Sequence, residues 1–451
     1  MKIGFLPFYV ELYEELLPEY HGVMQAFADR MAEKLGTRGF EVVPVPLCRV
    51  EREFAAAVIK FEDAGCQAIV TLHAAYSPSL ESIGPLAATD IPLVVMDTTP
   101  DRAFGFDCVD RLMNNHGIHG VQDFCNLLLQ RGKRFLIRAG HHEAPDFFTR
   151  LENAVRAAGM AHAFTHARVG TVGGVFDGMG DFRIPDGTFG MARVPFQAAG
   201  SPSAAEIAAE MEQDKAAFEL APGLSAESHR RTTECCLRLR KWIEANRLDA
   251  FTINFTRCTK TEGWAVVPFL ECSKAMARGI GYAGEGDVLT ALFCGVLMRI
   301  WKETTFSEMF CPDWAGNRIF VSHMGEINLN LLEQRPYLST REWRFGDAED
   351  PALATGCLKS GGAILANLAP GPDGRFTLIA AEIELVAQKD KNLADMRGWF
   401  VPPRGMSVGA FLEAYSRQGG THHLVLSYGG SAAELRDFAH LMNWNFQAIV
   451  S

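Results

Sequence analysis

Four absences narrow what this 451-residue chain can be. It holds no apolar run near the ~20 residues needed to span a bilayer, which argues against a helical membrane protein. Its start, MKIGFLPFYVELYEELLPEY, places acidic residues after the apolar stretch and has no small-residue cleavage site, so a secretory signal is not expected and the cytoplasm is the expected location. Basic residues are outnumbered, 43 Lys and Arg against 54 Asp and Glu. The net charge of −11 disfavours nucleic-acid phosphates or an anionic membrane as partner. The 11 cysteines form no C-x-x-C, and an odd count does not suit a disulfide framework. The adjacent Cys235 and Cys236 sit in a helical pattern and read as reduced core thiols, metal binding by the pair being the minor alternative.

What is present is an ordinary globular composition, 48% hydrophobic and 22% charged, with no internal repeat and no low-complexity linker. Short apolar runs (KIGFLPFYV, FEVVPVPL, QAIVTLHA, IPLVVMD, KRFLIRA) alternate with helical stretches over the first third. That alternation predicts an α/β domain over 1–167, with function at the carboxyl edge of its parallel strands. His73 lies at one such edge, either facing a cleft or ending a solvated strand. A Gly-rich stretch then leads to a second α/β domain, 168–305. The remainder, 306–451, is richer in strands: NRIFVSH, REWRF, AILANLA, FTLIAAEIELVA and HHLVLSY, with a hairpin turn at GPDGR and a helix capped by Ser431. The expected architecture is two Rossmann- or flavodoxin-like α/β domains followed by a strand-rich, barrel-like domain.

The segment GIGYAG, 279–284, matches the dinucleotide-binding pattern G-x-G-x-x-G, which would make the chain a nicotinamide-dependent dehydrogenase. That fingerprint must leave a strand and open a helix, whereas LECSKAMARG before it is helical in pattern. A tight helix-to-loop turn presenting Glu285 to a cleft is the expectation instead.

Two carboxylates and two imidazoles, Glu285, Glu308, His323 and His423, could together hold a divalent transition metal with open positions for substrate oxygens. Their gaps of 23, 15 and 100 residues follow no short metal motif. Singly, Glu285 reads as a helix-start carboxylate, Glu308 as a surface acid and His323 as a core histidine.

The segments around them change the balance. GYAGEGD, TTFSEMF, AGNRIFVSHMGE and GGTHHLVLSY, preceded by IVTLHAAYSPS, IPLVVMDT and MNNHGIHGVQDF, resemble in order and distance the L-arabinose isomerases, within the wider L-arabinose and L-fucose isomerase group. The resemblance covers nearly the whole chain and implies a manganese ion held by Glu285, Glu308, His323 and His423, with cobalt or zinc competing for the same ligands. His422 is the neighbouring alternative to His423, because strand alternation turns only one of the two inward. The likeness further implies a homo-oligomer, a trimer or hexamer, in which His119 reaches the active site of a neighbouring subunit. It places Phe255 and Met179 in the sugar pocket, core packing being the competing role of Phe255. His116 is a candidate turn residue. Two departures touch the expected pocket wall. Met309 follows Glu308 where those enzymes carry Asp, and their Tyr- and Arg-containing tail has no counterpart after His423.

The activity implied is aldose–ketose isomerisation through an enediolate, with Glu285 and Glu308 as the acid/base pair and a small sugar as substrate. A catalytically silent sugar-binding relative of the same fold is the alternative from another class.

Overall fold

The computed structural model describes residues 1–387 and 398–450. Within it the chain forms two compact units: Met1–Ala163 with Arg436–Asn443, and Phe164–Leu435 with Trp444–Ser451.

The first unit is built on five parallel strands, β1 (Lys2–Phe8), β2 (Glu41–Pro44), β3 (Ile69–His73), β4 (Leu93–Asp97) and β5 (Phe135–Ala139). They run in the order β2-β1-β3-β4-β5, the doubly wound order with a switch point between β1 and β3. β1, β3 and β4 are buried almost throughout, and for that reason they read as continuous apolar runs rather than as alternating ones. Phe54, Phe61, Phe124 and Leu128 from the flanking helices close the core around Leu6, Ile69 and Val95. His73 faces neither cleft nor solvent. It is buried at the end of β3, its ring stacks on Phe8 at 4.3 Å, and neither ring nitrogen has a hydrogen-bond partner.

In the second unit β6 (Arg168–Val172), β7 (Ala192–Pro195), the short β8 (Glu219–Leu220), β9 (Ala250–Ile253) and β10 (Gly281–Gly284) come first. Four of these make a parallel sheet in the order β10-β9-β6-β7. The helix Val288–Ile300 is buried from Val288 to Met298, which explains its lack of a polar face. GIGYAG differs from the expected helix-to-loop turn: Gly279 ends the helix Phe269–Ala277 with φ +87°, and Gly281–Gly284 is β10 itself, fully buried. Its small residues let the strand lie against the helix Val288–Ile300, where a Cβ on Gly281 would strike the Gly295 backbone.

The strand-rich region contains β11 (Thr304–Asp313), β12 (Arg318–Ser322), β13 (Tyr337–Thr340), β14 (Ala352–Thr355), β15 (Gly361–Pro370), β16 (Phe376–Val386), β17 (Gly398–Val401), β18 (His423–Ser427) and β19 (Asn445–Ile449). The order β15-β18-β11-β12-β17-β16 is closed by pairing of β16 with β15, giving a six-stranded barrel, and β19 adds alongside β16. β8, β13 and β14 form a small separate sheet. The β15–β16 hairpin turns at GPDG as the sequence predicts, with Asp373 and Gly374 both at positive φ. REWRF, expected as a strand, forms none: the Arg341 amide donates to the Pro351 carbonyl at 2.9 Å, but no strand ladder continues from it among the described residues. Trp343 donates its amide to the Asp350 carboxylate at 2.8 Å and packs its ring against Phe255 and Phe269, so aromatic packing replaces a ladder there. Among the described residues no helix is long and apolar enough to cross a membrane.

Candidate functional site

Glu285 sits at the sharp step from β10 into the helix Val288–Ile300, and its own backbone is left-handed, φ +62°. Such a conformation is costly for a residue with a side chain and persists only where its surroundings enforce it. Here its amide donates to Ile253 O at 2.7 Å and its carbonyl accepts from the Phe176 amide at 2.9 Å. The flanking glycines are required. A Cβ on Gly284 would stand 2.5 Å from His323 Cε1 and 2.7 Å from its Nε2, while Gly286 has φ +82° and lies against the Gly174 carbonyl.

Glu308 comes from β11, directly opposite His423 on β18 and Ser322 on β12. His323 follows the last residue of β12. Phe306, two residues before Glu308 and so on the same face, packs its ring against both imidazoles, at 4.9 Å from His323 and 5.0 Å from His423. Glu285, His323 and His423 are all buried and present ligand atoms within 4.8 Å of one another. The Glu308 carboxylate stands outside that tight set on the adjacent strand. No second group of metal-capable side chains exists among the described residues, and Cys235 and Cys236 are simply buried thiols of the helix Ala226–Ala245.

Both imidazoles are aimed by carboxylates behind them. Nδ1 of His323 donates to Glu326 at 2.9 Å, and Glu326 also accepts from the Tyr282 hydroxyl at 2.7 Å. Nδ1 of His423 donates to Asp287 at 2.9 Å, and the other Asp287 oxygen accepts the Thr290 amide, capping the helix. Each ring therefore turns Nε2 toward Glu285, the usual backing of a metal-ligating histidine. His423 Nε2 is buried without a hydrogen-bond partner, 3.5 Å from Glu285 Oε2. A buried nitrogen left this way is costly unless something else occupies it, and the mixed nitrogen and oxygen donor set fits a divalent transition ion.

The electrostatics divide the two glutamates. Burial would raise the Glu285 carboxyl, but the His422 hydrogen bond and the His423 and His323 imidazoles outweigh it and hold it at about 2. Burial wins at Glu308, whose carboxyl is raised above the ordinary value despite the same histidines. Burial would lower His323, yet Glu326, Glu308 and Glu285 raise it. A divalent cation bound here would compete with protons for these ligands.

His422 and His423 do not divide as strand alternation suggests. His422 precedes β18 and is free of the pleat, so its Nε2 also reaches Glu285 Oε2, at 3.3 Å. Its Nδ1 donates to Asp181 at 2.7 Å. Burial would lower this ring, but the bonds to Asp181 and Glu285 push it up to about 10.

Three other candidates are not members of this cluster. Phe255 is buried among Phe176, Phe269, Trp343 and Phe345. Met179 is half-buried in the Gly-rich segment, where its carbonyl accepts from Arg183 Nε. His119 belongs to the first unit, exposed at the start of the helix Ile118–Gln130 beside His116 and Tyr76. His116 does more than turn the chain, pairing Nε2 with the Tyr13 hydroxyl at 2.8 Å. Met309, expected in the pocket wall, packs instead against the apolar core of the strand-rich region, since it points to the opposite face from Glu308.

Four side chains were missed by sequence reasoning. Phe182 lies nearly parallel to His423, 5.4 Å away at 10°, and Asp181, Asp287 and Glu326 orient the histidines. Asp287 and Glu326 stand two and three residues after a predicted ligand, which is the one local signal they carry.

Residues 196–303 match the L-arabinose isomerase central domain and residues 303–445 the L-arabinose isomerase C-terminal domain. The L-arabinose isomerase of Nocardioides sp. is 27% identical over 404 residues, 83% of this chain and 79% of that protein. That of Anoxybacillus flavithermus is 26% identical over 403 residues, 84% and 79% of the two chains. That of Klebsiella pneumoniae is 26% identical over 417 residues, 85% and 80%.

Proposed function

Since the chain belongs to the L-arabinose isomerase family and is an isomerase, we propose that it interconverts an aldose and its ketose with a divalent cation held by Glu285, Glu308, His323 and His423. What supports a cation at this point is the buried convergence of three ligand atoms, with His423 Nε2 left unpartnered and aimed at Glu285. When bound, the cation supplies Lewis-acid stabilisation of the negative charge that develops on two adjacent sugar oxygens. Manganese suits the mixed donor set, with cobalt and zinc as competitors.

The reaction removes hydrogen from one carbon and returns it to its neighbour, so one group must take a proton and keep it close. Glu308 is that group. No protein donor lies on its carboxylate among the described residues, and burial raises its proton affinity, both of which favour a base that must also give the proton back. Glu285, held near 2 by its imidazole neighbours, stays ionised and serves as anchor. Two carboxylates set apart by their surroundings in this way divide the acid/base and electrostatic tasks. His422, in contact with Glu285, is placed to hold or pass the hydroxyl proton as the carbonyl moves between the two oxygens.

The family likeness also supports a homo-oligomer, trimeric or hexameric, in which His119 of one subunit reaches the site of the next. Phe104, Phe106, Leu112 and Ile118 are exposed close to His119 in the sequence, as suits a surface that another subunit covers.

The test is chelation of the purified protein, readdition of manganese, and a panel of pentoses, hexoses and deoxy-sugars assayed for ketose. Ketose formation restored by the metal is expected. Binding of a sugar without turnover of any aldose, metal present, would turn the assignment toward a silent binding protein.

A further inference from the structure

Asp181 belongs to the Gly-rich stretch after β6 and lies 241 residues from the histidine it bonds. Its Oδ2 atom accepts twice from His422, from the backbone amide at 2.9 Å and from ring Nδ1 at 2.7 Å. The first bond fixes where the carboxylate sits and the second fixes the plane of the ring, so that Nε2 faces Glu285 Oε2 at 3.3 Å. The stretch carrying Asp181 is itself braced. Arg183 bonds the carbonyls of Met179 and Phe176, the Phe176 amide bonds the Glu285 carbonyl, and buried Phe182 stacks on His423. One short segment thus touches Glu285, His422 and His423.

From this geometry we infer that Asp181 is a positioning residue: through His422 it occupies one oxygen of Glu285, orienting that carboxylate for the cation and the sugar. The inference rests on the proposed metal-dependent isomerase and extends it to a residue outside the four ligands. Without Asp181 the His422 ring loses the bond that fixes its plane, and Glu285 Oε2 loses a held partner.

The variants are Asp181→Ala, His422→Ala and the double substitution, each checked for folding by circular dichroism. Manganese affinity of the metal-stripped proteins is measured by calorimetry, turnover is split into kcat and KM, and the crystal structure of metal-free Asp181→Ala gives the His422 ring orientation. Asp181→Ala is expected to weaken manganese binding at least ~10-fold, as loss of a partner behind a ligand does. In the His422→Ala background its loss should cost little more, because both act through one contact. Full additivity, or unchanged manganese affinity in Asp181→Ala, overturns the inference. If the unsubstituted protein binds no divalent cation, the metal assignment itself fails, and the crystal structure decides for Asp181: an unmoved His422 ring refutes its positioning role, a displaced one upholds it.

Discussion

Asp287 holds His423 from behind, Oδ2 to Nδ1 at 2.9 Å with both side chains at 0% exposure, while its Oδ1 caps the following helix through the Thr290 amide. One carboxylate thus serves fold and site together, and substitutions should separate the two tasks. Asp287→Ala loses both bonds, costing about 1 kcal/mol for the cap and weakening cation binding ~10–100-fold. Asp287→Asn keeps an acceptor for Thr290, so its thermal midpoint should fall less than that of the alanine variant while its manganese affinity still drops. Equal manganese affinity in all three proteins, by calorimetry, would count against a metal at His423.

Gly284 has no room for a methyl group, because the His323 ring occupies that space. Gly284→Ala must therefore push His323 away from Glu285 or shift β10. Cation binding should be lost while the far-UV circular dichroism spectrum stays close to that of the parent, since the first unit and most of the barrel are not involved. A Gly284→Ala protein that binds manganese as the parent does would show that His323 is not held where the structure puts it.

Much of this was legible in the chain, and what escaped has physical reasons. β1, β3 and β4 announce themselves because both of their faces are buried, and the Asp373–Gly374 turn because its backbone demands such residues. β10 reads as a turn because a helical pattern runs straight into its glycines, yet the close helix behind it leaves space for little else than small residues in a strand. REWRF looked like a strand because aromatics favour strands, but its ring contacts with Phe255 and Phe269 win over pairing. Glu285, His323 and His423 were recoverable from the segments that surround them. Asp181 was not, because nothing local marks a carboxylate whose partner lies 241 residues away.

Glu285 and Glu308 should respond differently to amidation. Glu308→Gln removes the proposed proton carrier without touching the buried cluster of three, so kcat should fall at least ~100-fold with manganese affinity reduced far less. Glu285→Gln removes a member of that cluster, so manganese affinity should fall first and turnover with it. Steady-state rates on whichever aldose proves active, together with metal titrations, distinguish the two. Near-normal turnover by Glu308→Gln would remove it from the proton transfer.

His73 should make the first unit sensitive to acid independently of the site. Its ring is buried against Phe8, and burial lowers its pKa from 6.5 to about 3. Above pH 6.5 neither the folded nor the unfolded chain binds a proton there. Between 6.5 and about 3 only the unfolded chain does, so stability is lost as pH falls, by roughly 1.4 kcal/mol per pH unit from this one residue. All seven tryptophans lie in the second unit, so their fluorescence reports on that unit while circular dichroism sees both. Acid titration in mild urea should therefore show a loss of helical signal that precedes the tryptophan change. In His73→Phe that early phase should move to lower pH, whatever the variant's stability at neutral pH. Coincident acid transitions in the parent protein, unaltered by His73→Phe, would mean that His73 is protonated in the folded state at no great cost.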